Sequence, residues 1–169
     1  MTNSVRRPEL FVAWVLAAAV TAVDQLTKSL AVSRLSDGAV DVVWTLKFRL
    51  TYNTGMAFGA GSSIGPVIAV GAFLIVLVLA RSVSRQPRLV YRIAIGTLVG
   101  GATGNLLDRI FRSPGVLRGA VVDFIDFGWF AVFNVAGIAT VVGAGLLILT
   151  VFLDSRRSRS SGESVTNDR

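Results

Sequence analysis

The chain has 169 residues, of which 53% are hydrophobic and only 16% are charged, and its formal net charge is +7. A soluble domain of this size carries about 25% charged residues, so the composition favours a single-domain membrane protein. The absence of cysteine excludes disulfides and thiolate metal sites. The absence of histidine excludes the commonest general base and the Ser-His and Cys-His nucleophile pairs. Hydrolytic chemistry would therefore depend on carboxylates, lysine or a hydroxyl group.

Four apolar segments approach the roughly 20 residues that a helix needs to cross a bilayer. They cover about residues 10–32, 64–79, 89–107 and 130–153. The first segment continues past Asp24 and Lys28, so it is interpreted as a retained helix and not as a cleaved signal peptide. The pattern predicts an all-α membrane protein with four transmembrane helices occupying residues 1–154.

Residues 33–63, between the first two predicted spans, differ from the apolar segments. Within them, residues 40–44 and 46–52 partly alternate β-branched or aromatic residues with polar ones. This pattern is typical of strands. We therefore expect a small β-like segment on the outer surface of the membrane.

Basic residues gather in three places along the chain. They are Arg6 and Arg7 before the first span, Arg81, Arg85, Arg88 and Arg92 between the second and third, and Arg156, Arg157 and Arg159 after the fourth. The positive-inside rule places these groups, and hence both termini, in the cytoplasm. The positive charge is thus explained by topology, and no nucleic-acid partner is expected. The polar tail at residues 155–169 is predicted to be disordered.

Several polar residues lie within or beside the predicted spans, where ionised side chains are costly. Asp24 and Lys28 are four residues apart on one helical face and can pair. Asn105, Asp108 and Arg109 end the third span. On the residues alone, both groups are compatible either with a functional site or with a simple marking of the membrane boundary.

Two carboxylates, Asp123 and Asp126, interrupt the apolar stretch at residues 121–127. They share a face if the stretch is helical and point to opposite faces if it is extended. A carboxylate among Val, Ile and Phe has its pKa raised, which suits acid-base chemistry. Asn53 and Asn134 are predicted to lie at the same membrane face, so a site there is plausible.

Five short motifs resemble, in order, those of the bacterial lipoprotein signal peptidases (signal peptidase II). They are Asp-Gln-Leu-Thr-Lys at 24–28, Asn-Thr-Gly-Met-Ala-Phe at 53–58, Gly-Asn-Leu-Leu-Asp-Arg at 104–109, Val-Val-Asp-Phe at 121–124 and Phe-Asn-Val-Ala at 133–136. The family consists of four-helix membrane aspartyl peptidases that remove signal peptides just before a diacylglycerated cysteine. In them, one aspartate takes a proton from water while another protonates the leaving group.

The resemblance implies roles for individual residues of this chain. Asp123 would be one catalytic aspartate. The residues that would bind substrate or support the site are Asp24, Lys28, Asn53, Gly55, Asn105, Asp108, Arg109 and Asn134. The resemblance also implies a monomer in the bacterial cytoplasmic membrane, with its site on the outer face. Its partners would be membrane lipids and lipidated prolipoprotein signal peptides, with no metal and no cofactor.

The fifth motif departs from the family at one position. The family pattern continues Phe-Asn-x-Ala-Asp, whereas this chain has Gly137 where the second catalytic aspartate belongs. The chain is then an inactive relative that still binds lipidated signal peptides or regulates a true peptidase, or an altered form of an active enzyme. In a third alternative, Asp126 or Asp108 replaces the missing aspartate. Little or no cleavage is expected.

Overall fold

A computed structural model of the chain describes residues 7–55, 65–86 and 88–166. It contains, in chain order, α1 (Arg7–Arg34), β1 (Val40–Val43), β2 (Leu46–Asn53), α2 (Gly65–Val83), α3 (Leu89–Phe111), β3 (Val121–Asp126) and α4 (Val135–Thr166). Four helices and a small sheet are the elements that the sequence predicts. Position 64, at the start of the predicted second span, and positions 56–63 and 167–169 lie outside the described residues.

Three of the described helices, α1, α2 and α4, are long and apolar enough to cross a membrane. Helix α3 does not meet that criterion because it carries Arg92, Asn105, Asp108 and Arg109 among its apolar residues. It packs against the other three helices, which shield much of its polar surface. Polar groups in membrane helices face the bundle interior in this way. The fourth span therefore remains a prediction.

Glycines allow α3 to approach its neighbours closely, as small residues do in membrane helix pairs. A Cβ atom at Gly100 would lie 2.8 Å from the Ala17 carbonyl oxygen of α1. A Cβ atom at Gly101 would lie 2.5 Å from the Ala136 carbonyl oxygen of α4. The Thr21 hydroxyl also donates a hydrogen bond to the Gly100 carbonyl, at 3.1 Å. Helix α3 thus lies between α1 and α4, with its backbone in close contact with the backbones of both.

The sheet is antiparallel, with strand order β1-β2-β3. Strand β2 pairs with β3 through Thr51 opposite Asp123. The Val122 and Phe124 side chains form a buried cluster with Ala31 at the end of α1. The β-like character expected of residues 40–52 is thus present. The stretch that the sequence left open between helix and strand is strand β3.

Helix α4 differs from its predicted span at both ends. It begins at Val135, so residues 127–134 form a connection and not the first turns of a helix. It continues to Thr166, so positions 155–166, which the sequence predicts to be disordered, are helical. A helix of 32 residues is about 48 Å long, whereas a hydrocarbon core is about 30 Å thick. Part of α4 therefore extends beyond the bilayer.

We predict that Gly101→Ala destabilises the fold by about 1–3 kcal/mol, because the added Cβ would collide with the Ala136 backbone. Gly71→Ala in α2 is the matched control, since its added Cβ would meet nothing within 4 Å. Reversible unfolding in detergent micelles measures both variants. Equal stabilities for the two variants would contradict the close packing of α3 on α4.

Candidate active site

A buried ion cluster joins α1 to α3. The Lys28 ammonium lies 2.8 Å from an Asp24 oxygen and 2.8 Å from an Asp108 oxygen, and all three side chains are 0% exposed. Lys28 also donates to the Asn105 side-chain oxygen at 2.9 Å. Buried charges are tolerated only when they are paired and hydrogen-bonded, and here every ammonium proton has an acceptor. The spacing of Asp24 and Lys28 predicted their pairing, but the second carboxylate comes from another helix.

Two residues that were not among the predicted site residues complete the hydrogen bonding of Asp108. Arg112 donates to its Oδ1 at 2.7 Å, and Gln25 donates to the same atom at 3.2 Å. Gln25 also donates to the Gly104 carbonyl at 2.9 Å. Arg112 could have been found because it follows Asp108 by four residues, one helical turn. Gln25 adjoins Asp24 in the first motif, but the sequence does not show that Gln25 contacts Asp108 on α3.

The same cluster fixes the first turn of α4. The second oxygen of the Asp24 carboxylate accepts a hydrogen bond from the Ala136 backbone N–H at 2.8 Å. The Asn134 side-chain oxygen accepts one from the Gly137 N–H at 2.7 Å, as an N-cap residue does. A carboxylate near a helix N-terminus is favourable because of the helix dipole. The position of residue 137 is therefore set by Asp24 and Asn134 together.

Asp123 is held by two asparagine amides. The Asn134 amide donates to its Oδ1 at 2.6 Å, and the Asn53 amide donates to its Oδ2 at 3.1 Å. Asp123 is only 5% exposed. Burial raises the pKa of Asp123 to about 6, although the two amides and the charge of Lys28 favour the ionised form. Such a carboxyl can exchange a proton near neutral pH.

Arg109 supports the residues that follow Asn53 at the end of β2. Its guanidinium donates hydrogen bonds to the carbonyls of Gly55 and Thr54. The Gly55 N–H in turn donates to the Asn53 side-chain oxygen at 3.0 Å, which orients the Asn53 amide towards Asp123. The structure thus connects all the predicted site residues: Asp24, Lys28, Asn53, Gly55, Asn105, Asp108, Arg109, Asp123, Asn134 and Gly137.

A cavity of about 640 Å³ opens beside this network. Its polar lining comes chiefly from Asn53, Asn105, Arg109 and Asp123, and most of the remaining wall is apolar, with Gly137 among the lining residues. Among the residues that the structure describes, Asp123 is the only carboxylate in that lining. A Cβ atom at position 137 would have as its nearest neighbour the Asn134 Oδ1 atom at 3.4 Å, an ordinary contact distance.

Neither alternative carboxylate lies in the cavity lining. Asp126 pairs with Arg49 at 2.7 Å and accepts the Gly128 N–H at 2.7 Å. These two partners hold the pKa of Asp126 below its usual range. Asp108 accepts from Lys28, Gln25, Arg112 and the Val122 N–H. Both carboxylates are engaged elsewhere, which argues against either one replacing an aspartate at position 137.

The sequence matches the family described as Signal peptidase (SPase) II over residues 16–153. It is 40% identical over 147 residues to a lipoprotein signal peptidase of Rhodococcus jostii, covering 83% of this chain and 72% of that protein. It is 47% identical over 107 residues to a lipoprotein signal peptidase of Streptomyces coelicolor, covering 63% of this chain and 52% of that protein.

A solved bacterial membrane enzyme superposes with a TM-score of 0.75 at 27% sequence identity, and the match covers 85% of this chain and 88% of that one. A second bacterial membrane enzyme gives a TM-score of 0.70 at 28% identity, covering 82% of this chain and 91% of that one. The mostly helical fold with its small sheet is therefore shared with experimentally determined membrane enzymes.

We predict that Lys28→Met destabilises the protein by about 3–5 kcal/mol, because it leaves two buried carboxylates without their shared cation. Lys47→Met is the matched control. Lys47 pairs with Asp41 at 3.0 Å on the surface, and an exposed pair contributes at most about 1 kcal/mol. Denaturant unfolding in micelles measures both variants, and a loss of the same small size in each would contradict the account of the cluster.

The raised pKa of Asp123 leads us to predict that the stability of the fold depends on pH. Because folding raises its pKa from 3.8 to about 6, its contribution is fully present below pH 4 and is lost as the pH rises through 6. The loss reaches about 3 kcal/mol at neutral pH. Asp123→Asn should abolish this component, so the difference in unfolding free energy between the two proteins should vary between pH 4 and 7. A difference that stays constant would show that the Asp123 pKa is not raised.

Proposed function

We propose that this chain, which belongs to the signal peptidase II family, binds diacylglycerated prolipoprotein signal peptides but cleaves them slowly or not at all. The substrate class is that of the family, and the impairment follows from a single residue, Gly137. The observation that carries the proposal is the cavity lining, in which Asp123 is the only carboxylate among the described residues and Gly137 occupies the position of its expected partner.

The features of the cavity suit a lipidated peptide. Its wall is largely apolar, as is needed to receive acyl chains and the hydrophobic part of a signal peptide. The Asn53 and Asn134 amides and the Arg109 guanidinium lie at its polar end. In this proposal these groups orient the peptide backbone next to Asp123. All of them are present although position 137 is a glycine.

The chemistry of peptide hydrolysis explains why glycine at position 137 impairs turnover. Water must lose a proton as it attacks the peptide carbonyl, and the leaving nitrogen must gain one. Two neighbouring carboxyl groups divide these tasks because each shifts the pKa of the other. Asp123 can hold one proton near neutral pH, but Gly137 can neither accept nor deliver the other.

The placement in the membrane is part of the same proposal. Helix α3 serves as the fourth span, shielded by the three apolar helices. The arginines around the connection between α2 and α3 and in the C-terminal part of α4 lie on the cytoplasmic side in this proposal, with both termini there and the site on the outer face. A monomer is part of the proposal, because the hydrogen bonds to Asp123 can all be made within one chain.

A second function is favoured by the same glycine. A chain that binds lipidated signal peptides without cleaving them can retain these substrates or limit the access of an active peptidase to them. The intact ion cluster and the intact Asn53 and Asn134 contacts are consistent with a binding role of this kind. Cleavage assays on variants of position 137 distinguish the two functions.

Gly137→Asp should restore cleavage of a diacylglycerated prolipoprotein, because a Cβ atom at position 137 meets only ordinary contacts and Gly137 lines the same cavity as Asp123. The gain should be on the order of 10⁴-fold, the usual effect of one member of a catalytic unit. The reaction is run in proteoliposomes, and gel electrophoresis of the product measures the rate at which the signal peptide is lost.

Two controls make this assay specific. Gly137→Asn adds a side chain of similar size without a carboxyl group and should not restore cleavage. Adding Asp123→Asn to Gly137→Asp should abolish the restored activity. Efficient cleavage by the unaltered chain would contradict the impairment. If no variant cleaves while each still binds the lipopeptide, the non-cleaving binding function is favoured.

A further inference from the structure

The tip of the β1–β2 hairpin exposes a group of apolar residues that the site does not use. Trp44 is 99% exposed and Val43 is 61% exposed. The neighbouring Val42 and Val40 are about half exposed. An exposed apolar cluster of this kind marks an interaction surface. The hairpin tip, defined here as residues 42–45, is separate from the residues that line the cavity.

The backbone of the tip makes the choice of tryptophan unusual. Val43 pairs with Leu46, so only Trp44 and Thr45 form the turn. Trp44 has a φ of 52°, in the left-handed region that Gly, Asn and Asp occupy most easily in tight hairpins. A bulky aromatic residue there is unfavourable for the isolated turn. An interaction of the indole ring outside the fold would compensate for this cost.

The position of the hairpin limits what its tip can contact. Strand β1 begins at Val40, only six residues after α1 ends at Arg34, and such a connection spans at most about 20 Å. Helix α1 is one of the helices apolar enough to cross a membrane, and its end packs against the sheet through Ala31 and Leu35. The base of the hairpin is therefore close to the end of α1, and Trp44 follows only four residues after that base.

The composition around the tip matches a membrane interface. Tryptophan is enriched at the headgroup level, where its ring is apolar and its N–H can hydrogen-bond. Lys47 follows the tip, and about half of its side chain is exposed beside its surface partner Asp41. Arg34 is also exposed at the end of α1. Basic side chains at this level contact lipid phosphates while their stems lie along apolar surface.

A second exposed aromatic group lies at the start of α4. Trp129 is 76% exposed and Phe130 is 52% exposed, and their ring centroids are 6.0 Å apart. Both precede the first residue of α4, Val135. Strand β3, which ends at Asp126, connects this aromatic group to the sheet that carries the hairpin. Aromatic side chains thus flank the sheet at the ends of two apolar helices.

We propose that the hairpin tip inserts into the headgroup region of the outer leaflet, with Trp44 as its anchor. The insertion holds β2, and with it Asn53, at a fixed height relative to the membrane. A lipidated peptide whose acyl chains remain in that leaflet would then meet the site at the correct depth. The membrane contact itself does not depend on peptide cleavage or on the identity of residue 137.

The experiment uses the full chain with Trp14→Phe and Trp129→Phe, so that Trp44 is the only fluorophore of its kind. The protein is reconstituted in phosphatidylcholine and phosphatidylglycerol vesicles that contain lipids brominated at shallow or deep acyl positions. A chain that retains only Trp14, an α1 residue with 45% of its side chain exposed, is the bilayer reference. Circular dichroism checks that each variant keeps its helices.

We expect Trp44 emission to shift to shorter wavelength in vesicles, to be quenched more by shallow than by deep bromines, and to lose its quenching by aqueous iodide. Emission typical of indole in water, with full iodide quenching and no bromine effect, would overturn the proposal. Protection that appears only after a diacylglycerated peptide is added would assign the tip to the substrate instead. Protection that grows with protein density in the vesicle would assign it to a second copy of the chain.

Discussion

The structure of the site depends on the Lys28 ammonium, which lies between two buried carboxylates on different helices. Through Asp24 it fixes the first turn of α4, and through Asp108 it is connected to the Val122 N–H of β3. A single cation in a fully buried position thus relates four elements, α1, α3, β3 and α4. A buried ion pair is by itself weak evidence for stability, and its visible consequence here is geometric, because it bears on the positions of Asp123 and of residue 137.

The glycine at position 137 does not disturb this arrangement. Its N–H donates a hydrogen bond to the Asn134 side-chain oxygen, and a Cβ atom added at this position would meet only ordinary contacts. The proposed function therefore treats binding and turnover as separable in this protein. In the proposed function, the Asn53 and Asn134 amides, Arg109 and the apolar cavity wall bind the peptide, whereas turnover needs a second proton carrier that the described lining does not contain.

Much of the fold could be predicted because apolar runs of suitable length report membrane helices directly. The sequence was less informative for α3, whose polar residues lower its mean hydropathy. The helix can carry these residues because neighbouring helices cover them. Strand β3 could not be assigned, since its partner β2 lies some seventy residues earlier in the chain and pairs Asn53 with Val121. Residues 155–166 gave no apolar signal, and they are helical as the continuation of α4. The family motifs predict the site residues, and one network of hydrogen bonds and ion pairs connects them, while their roles stay a prediction. The additional contacts of Gln25 depend on how two helices pack, which local sequence does not determine.

The separation of binding from turnover is tested most directly by measuring affinity. The unaltered chain and Gly137→Asp, each in nanodiscs, are titrated with a diacylglycerated signal peptide that carries a fluorophore and a non-hydrolysable bond at the cleavage point. Because the Asn53, Asn134 and Arg109 contacts are present in both proteins, the account predicts dissociation constants that agree within a few-fold. Failure of the unaltered chain to bind while Gly137→Asp binds tightly would contradict it, since the glycine would then impair recognition and not only proton transfer.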